Sequence, residues 1–136
     1  MTARTVAVIQ ARMGSTRLPG KVLESIGDRS LLAWTVEGVR AIPALSAVVV
    51  ATTVEPDDDV LADAASALGV EVHRGPDQDV LTRCYEAIAP FQPDVVVRQT
   101  ADNPFPDPSI AAAQVAALSA GELDYVGISG WPIGTA

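Results

Sequence analysis

Val6-Ala7-Val8-Ile9-Gln10-Ala11-Arg12-Met13-Gly14-Ser15-Thr16-Arg17-Leu18-Pro19-Gly20-Lys21-Val22-Leu23 begins as a strand and ends as a cationic loop. The run Val6 to Ile9 is apolar and mostly β-branched, the composition of a strand buried on both faces. It empties into a stretch holding Gly14, Gly20, the hydroxyls of Ser15 and Thr16, and the cations Arg12, Arg17 and Lys21. No acid appears before Glu24, although the chain carries a formal net charge of −8. The positive potential is therefore local, and the loop suits an anion.

Downstream, apolar strands and helices alternate. Ser30 is placed to cap a helix whose apolar face is Leu31, Leu32, Trp34, Thr35, Val36 and Val39, ending before Pro43. Ala47 to Ala51, Val70 to His73, Asp94 to Gln99 and Asp124 to Ile128 read as further strands. Between them, Asp57-Asp58-Asp59 starts an Ala-rich helix that stops at Gly69, Asp79 can cap Val80 to Ala89, and Asp107-Pro108 opens a helix through Ser119. Continuous apolar strands separated by helices predict an α/β doubly wound domain, a mostly parallel sheet between two helical layers. At 136 residues and 49% apolar content, residues 1–136 make one domain that buries roughly two thirds of its extended-chain surface.

The donor set of the first loop fits a polyphosphate. Gly14 and Gly20 let backbone N–H groups approach a ligand, Arg12 and Arg17 offer planar forks, and Lys21 a point charge. The usual phosphate motifs are absent: five residues, not four, separate Gly14 from Gly20, Val22 follows the lysine, and there is no Gly-x-Gly-x-x-Gly. A solvated basic turn between strand and helix is the competing reading.

Composition removes several classes of function. The acidic balance argues against nucleic acid or an anionic membrane as a general partner, since both need a broad basic face. Cys84 is the single cysteine and has no partner for an internal disulfide, which suits a reducing cytoplasm; it reads as a small buried hydrophobe, because His73 lies in a separate element. No apolar run approaches a membrane span or a signal-peptide core.

Parallel sheets bind ligands beyond the carboxyl ends of their strands, where the strand order reverses. In the 3-2-1-4 order of a doubly wound fold, the first loop faces the segment Arg98-Gln99-Thr100-Ala101-Asp102-Asn103-Pro104-Phe105-Pro106-Asp107-Pro108. A carboxylate at Asp102, opposite Arg12 and Lys21, can hold a magnesium ion that bridges phosphate oxygens. Asp102 equally suits a turn ahead of Asn103-Pro104.

Ala11 to Leu23 resembles the signature loop of the sugar cytidylyltransferases, above all the branch named after spore coat polysaccharide biosynthesis protein F, with the 3-deoxy-manno-octulosonate and acylneuraminate enzymes as more distant relatives. Thr100-Ala101-Asp102-Asn103-Pro104-Phe105 is similar to that branch's Thr-Gly-Asp-Cys-Pro-Leu run, with Ala101 and Asn103 in place of Gly and Cys. Val50-Ala51-Thr52-Thr53 is like its second strand and loop, and Arg74-Gly75-Pro76-Asp77-Gln78-Asp79-Val80-Leu81-Thr82-Arg83 is like its Arg-Gly-x-x-x-Asp-Val-Leu-x-Arg run. For Asp79 and Arg83, a helix cap and a helix-surface charge remain the simpler readings.

The resemblance implies a Rossmann-like domain of the nucleotide-diphospho-sugar transferase type and a CMP transfer from CTP to a sugar or sugar acid, with Mg2+ as cofactor. It implies nucleotide contacts from Ala11, Arg12, Gly14, Ser15, Arg17, Lys21, Thr52 and Arg74, catalysis by Arg12 and Lys21, and metal binding by Asp102. Family members continue beyond the position of Ala136, and their later part supplies another metal-binding carboxylate, much of the sugar pocket and a dimer contact. The sequence is thus expected to be the nucleotide-binding part of a larger, homodimeric cytoplasmic enzyme. The rival readings are a transferase of another nucleotide, a glycosyltransferase of related architecture, whose Asp-x-Asp spacing Asp57-Asp58-Asp59 and Asp77-Gln78-Asp79 meet only at helix starts, and a binding module without catalysis.

Overall fold

The computed structural model describes residues 3–14 and 16–128. Four parallel strands form the central sheet: β1 (Thr5–Gln10), β4 (Leu45–Thr53), β5 (Glu71–Gly75) and β6 (Val95–Thr100), in the order β5-β4-β1-β6. The chain steps outward from β1 to β4 to β5 and then crosses back to place β6 on the other flank of β1. The order therefore reverses between β1 and β6, as the doubly wound reading expects. Their ladder runs without a shift from Thr5↔Val95 to Gln10↔Thr100, so both strands end at one level.

The helices α1 (Leu31–Arg40), α2 (Asp59–Ala67), α3 (Val80–Ile88) and α4 (Pro108–Ser119) cover the sheet unequally. Leu32, Val36 and Val39 of α1, Leu61 and Ala65 of α2 and Ala111 of α4 join Ala7, Ile9 and Val50 in the larger core. On the opposite face, Cys84 and Ala87 of α3 pack against Val6, Val8, Val49 and Ala51. Alternate residues of β1 thus feed opposite cores, which is why the strand reads as an unbroken apolar run. The expected caps form: Ser30 accepts from Ala33 N–H, Asp79 from Thr82 N–H, and Asp107 from Ser109 and Ile110 N–H.

Two features depart from the sequence reading. A two-stranded hairpin, β2 (Ser25–Ile26) with β3 (Arg29–Ser30), turns through Gly27 at φ +67° just before α1. It docks through Trp34, whose Nε1 donates to the Ile26 carbonyl at 2.9 Å. The second departure is a correction: Asp124 to Ile128 forms no strand. Tyr125 is 83% exposed there, and its ring lies over Gly127, so the segment buries too little to belong to a sheet.

Candidate active site

The site forms where β1 and β6 end. After Gln10 the backbone stays anchored to both neighbours, with Ala11 N–H donating to the Ala51 carbonyl at 3.1 Å and Ala101 N–H to the Gln10 carbonyl at 3.0 Å. The β1 loop then closes on itself: Gly20 N–H donates to the Met13 carbonyl at 2.9 Å, and a short 3-10 turn, Lys21–Leu23, follows. Gly20 sits at φ +75°, where an added Cβ would also meet Met13 Cε at 3.3 Å, so glycine is required for this closure.

A cleft of about 310 Å³ results, walled on one side by Arg12, Gly14, Thr16, Arg17 and Lys21 and on the other by Thr100, Ala101 and Asp102. Lys21 Nζ lies 3.1 Å from Asp102 Oδ2, joining positions 81 residues apart in the chain. Burial pushes the Asp102 carboxyl up, but hydrogen bonds from Thr100 and Lys21 and the Lys21 charge outweigh it, and the net shift is downward. Asp102 is therefore an anion at neutral pH, standing in a cleft whose other charged walls are cationic.

The Asp102 turn is itself braced. Gln99 Nε2 donates to the Asn103 carbonyl at 3.1 Å, and the Thr35 hydroxyl of α1 reaches the Ala101 carbonyl at 3.1 Å. Ala101 is 2% exposed and belongs to the larger core, so its methyl is accommodated within the protein. Arg12 Nη1 pairs with Asp77 Oδ1 at 3.2 Å, and the loop carrying Asp77 is held by Arg83, whose Nη1 donates to the Pro76 and Asp77 carbonyls. Arg83 is fully buried, against the expectation of a helix-surface charge. Gly75 makes room for it, since a Cβ there would meet Arg83 Cγ at 3.1 Å.

The expected residues divide sharply. Arg12, Gly14, Arg17, Lys21 and Asp102 come together around one cleft, and Ala11 lines it, although its N–H is already used by β4. Ser15 lies outside the described residues. Two expected nucleotide contacts do not reach the cleft. Thr52 is 0% exposed, and its hydroxyl has no hydrogen-bond partner among the described residues. Arg74 is committed to the loop after β4, donating from Nε to the Thr53 carbonyl (2.7 Å), from Nη2 to the Glu55 carbonyl (2.9 Å) and from Nη1 to Asp59 (2.6 Å). Conversely, Gln10 and Thr100 line the cleft without having been singled out; their place as the last paired residues of adjacent parallel strands was the available signal.

Comparison with known proteins gives the family of the chain. The Cytidylyltransferase family model matches residues 6–135. The chain belongs to the cytidylyltransferase family. Among the family's curated members, it is 39% identical over 131 residues to the spore coat polysaccharide biosynthesis protein SpsF of Bacillus subtilis, covering 93% of this chain and 55% of that protein. To the 3-deoxy-manno-octulosonate cytidylyltransferase of Bdellovibrio bacteriovorus it is 43% identical over 104 residues, 74% of this chain and 40% of the relative. A cytidylyltransferase structure from Leptospira borgpetersenii superposes with a TM-score of 0.82 at 36% identity, covering 89% of this chain and 51% of that one. The chain thus spans about half the length of the cytidylyltransferases that it matches.

Proposed function

We propose that the complete protein transfers CMP from CTP to a sugar or sugar acid, with release of pyrophosphate, in the synthesis of a surface polysaccharide. The observation that carries this reading is the Lys21–Asp102 pair inside a cleft otherwise walled by Arg12 and Arg17, in a chain of the cytidylyltransferase family. An acceptor oxygen attacks the α-phosphorus of CTP, the bond to the bridging oxygen of the β-phosphate breaks, and pyrophosphate leaves with that electron pair.

Such a transfer asks the protein mainly for position and charge. Arg12, Arg17 and Lys21 neutralise the triphosphate, with Gly14 leaving room for close backbone approach and Ser15 and Thr16 supplying hydroxyls. As negative charge builds on the leaving group, these cations stand at the cleft wall to meet it, once Lys21 and Arg12 exchange their carboxylate partners for phosphate oxygens.

Among the described residues, no three His, Cys, Asp or Glu side chains converge as a metal cage. Asp102, a carboxylate in the lining of the cleft, fits Mg2+ arriving with its nucleotide, because magnesium commonly takes one or two carboxylates together with substrate phosphates. Asp102 would hold it, with Lys21 turning to the phosphates; the ion would supply charge neutralisation between phosphate oxygens. Residence in the cytoplasm and a homodimer in the complete enzyme belong to the same proposal. No helix among the described residues is long and apolar enough to cross a membrane.

Thermal shifts with CTP, UTP, GTP and ATP, each with and without Mg2+, test the reading. At a hundred times its Kd, a bound ligand stabilises by about 2.7 kcal/mol. CTP with Mg2+ is expected to raise Tm most. An equal response to all four nucleotides contradicts cytidine selectivity, and no response to any of them removes the nucleotide site.

A further inference from the structure

The geometry points to Asp58 as the residue that positions the β1 loop for the nucleotide, through a single backbone N–H. Asp58 ends the 3-10 turn Pro56–Asp58 and stands at the N-terminus of α2, where an aspartate ordinarily caps the helix. Its side chain makes no cap hydrogen bond. Instead the carboxylate is directed at another part of the chain: Oδ1 accepts the Met13 N–H at 2.6 Å, across 45 residues of sequence, and Oδ2 accepts the Thr53 hydroxyl.

Asp58 is only 3% exposed, and a buried carboxylate is tolerated when its oxygens are hydrogen-bonded. Both oxygens are used here, and a charged acceptor makes the bond to Met13 roughly twice as strong as a neutral one would. The surrounding bonds hold Asp58 still. Glu55 N–H donates to Thr53 Oγ1 at 3.1 Å and Asp58 N–H to the Glu55 carbonyl at 2.9 Å, while Arg74 ties down the Thr53 and Glu55 carbonyls and Asp59.

Met13 is the pivot of the loop. It lies between Arg12 and Gly14, both cleft-lining, and its carbonyl accepts the Gly20 N–H immediately before Lys21. With Met13 pinned on its N–H side by Asp58 and on its carbonyl side by Gly20, the loop is held as the shape that brings Arg12 and Lys21 to one cleft. Asp58 does not itself line that cleft. It is a positioning residue whose importance to nucleotide binding rests on the proposed CTP site, whereas its hold on the loop does not.

Asp58→Ala and Asp58→Asn in the complete protein separate these points. Without nucleotide, hydrogen exchange at the Met13 and Gly20 amides is expected to accelerate about tenfold or more in Asp58→Ala and by a smaller factor in Asp58→Asn, which keeps a neutral acceptor. Amides of β1 and β6 are expected to keep their protection. The Kd of CTP with Mg2+, measured by calorimetry, is expected to rise about 10- to 100-fold in Asp58→Ala, with Asp58→Asn between it and the wild type. Unchanged Met13 exchange in either folded variant overturns the assignment, as does acceleration spread evenly over the core. If Asp58→Ala does not fold, the Asn variant decides alone. Selective acceleration at Met13 in a protein that binds no CTP leaves Asp58 as the holder of the loop and overturns the nucleotide reading instead.

Discussion

Lys21 and Asp102 hold each other across the mouth of the cleft, and each is partly solvated, with side-chain exposures of 31% and 47%. A pair this open contributes little to stability, so its removal tests the proposed function rather than the fold. Lys21→Ala is expected to weaken CTP binding and to lower turnover of the complete enzyme by about 10²–10³-fold, the effect of removing one preorganised donor. Wild-type turnover in that variant would take Lys21 out of the mechanism. Asp102→Asn is expected to leave nucleotide binding indifferent to Mg2+, and an unaltered magnesium titration would count against Asp102 as the metal's ligand.

The depressed Asp102 pKa fixes the sign of its pH dependence. Its charged form is favoured by folding, so the stabilisation is complete above the unfolded value of about 3.9 and is lost as pH falls through the lower folded value. Removing the Lys21 charge should therefore raise the Asp102 pKa, which a carboxyl NMR titration of Lys21→Ala can measure. A pKa that stays put would mean that Thr100 and the backbone alone set it.

At the scale of elements, α1 and the segment after β6 are fitted to each other with no slack. Gly38 lies inside α1, where alanine would ordinarily favour the helix by about 1 kcal/mol. Here an added Cβ would stand 2.8 Å from Pro106 Cδ and 2.9 Å from Cγ, and the rigid ring has little freedom to yield. Overpacking of this kind costs about 1–3 kcal/mol, so Gly38→Ala is expected to be destabilising on balance, by about 1 kcal/mol. The urea midpoint measures it, and an unchanged or higher midpoint would show that the 103–107 segment moves freely. Thr35 acts one turn earlier on α1, where its hydroxyl reaches the Ala101 carbonyl beside Asp102. The helix thus braces the Asp102 wall of the cleft.

Across the whole molecule, the site exists because strand order reverses between β1 and β6 and both strands stop at the same rung, Gln10 opposite Thr100. Strands, helices and caps follow from neighbours within a few residues: β-branched runs, Ser30, Asp79 and Asp107 before helices, Gly69 after one. These were legible in the sequence, as was the cationic cluster from Arg12 to Lys21, because local chemistry dictates both. The strand order expected of the fold pointed to Asp102, and the family's motif favoured it over a plain turn residue. What was misjudged depends on distant partners. Asp124 to Ile128 has strand-like residues but buries too little to become a strand, and the 25–30 hairpin is too short to announce itself. Arg83 looks like a surface charge until Gly75 makes room for it, and the burial of Thr52 and the three loop acceptors of Arg74 are likewise set by partners that the sequence does not show. The sequence by itself determined the alternating elements and the cationic loop, since propensity, capping and charge act between near neighbours. Only the tertiary structure decided that Lys21 meets Asp102 and that Asp58 leaves its own helix to hold Met13, because a hydrogen bond across dozens of residues exists only after the sheet has brought its ends together.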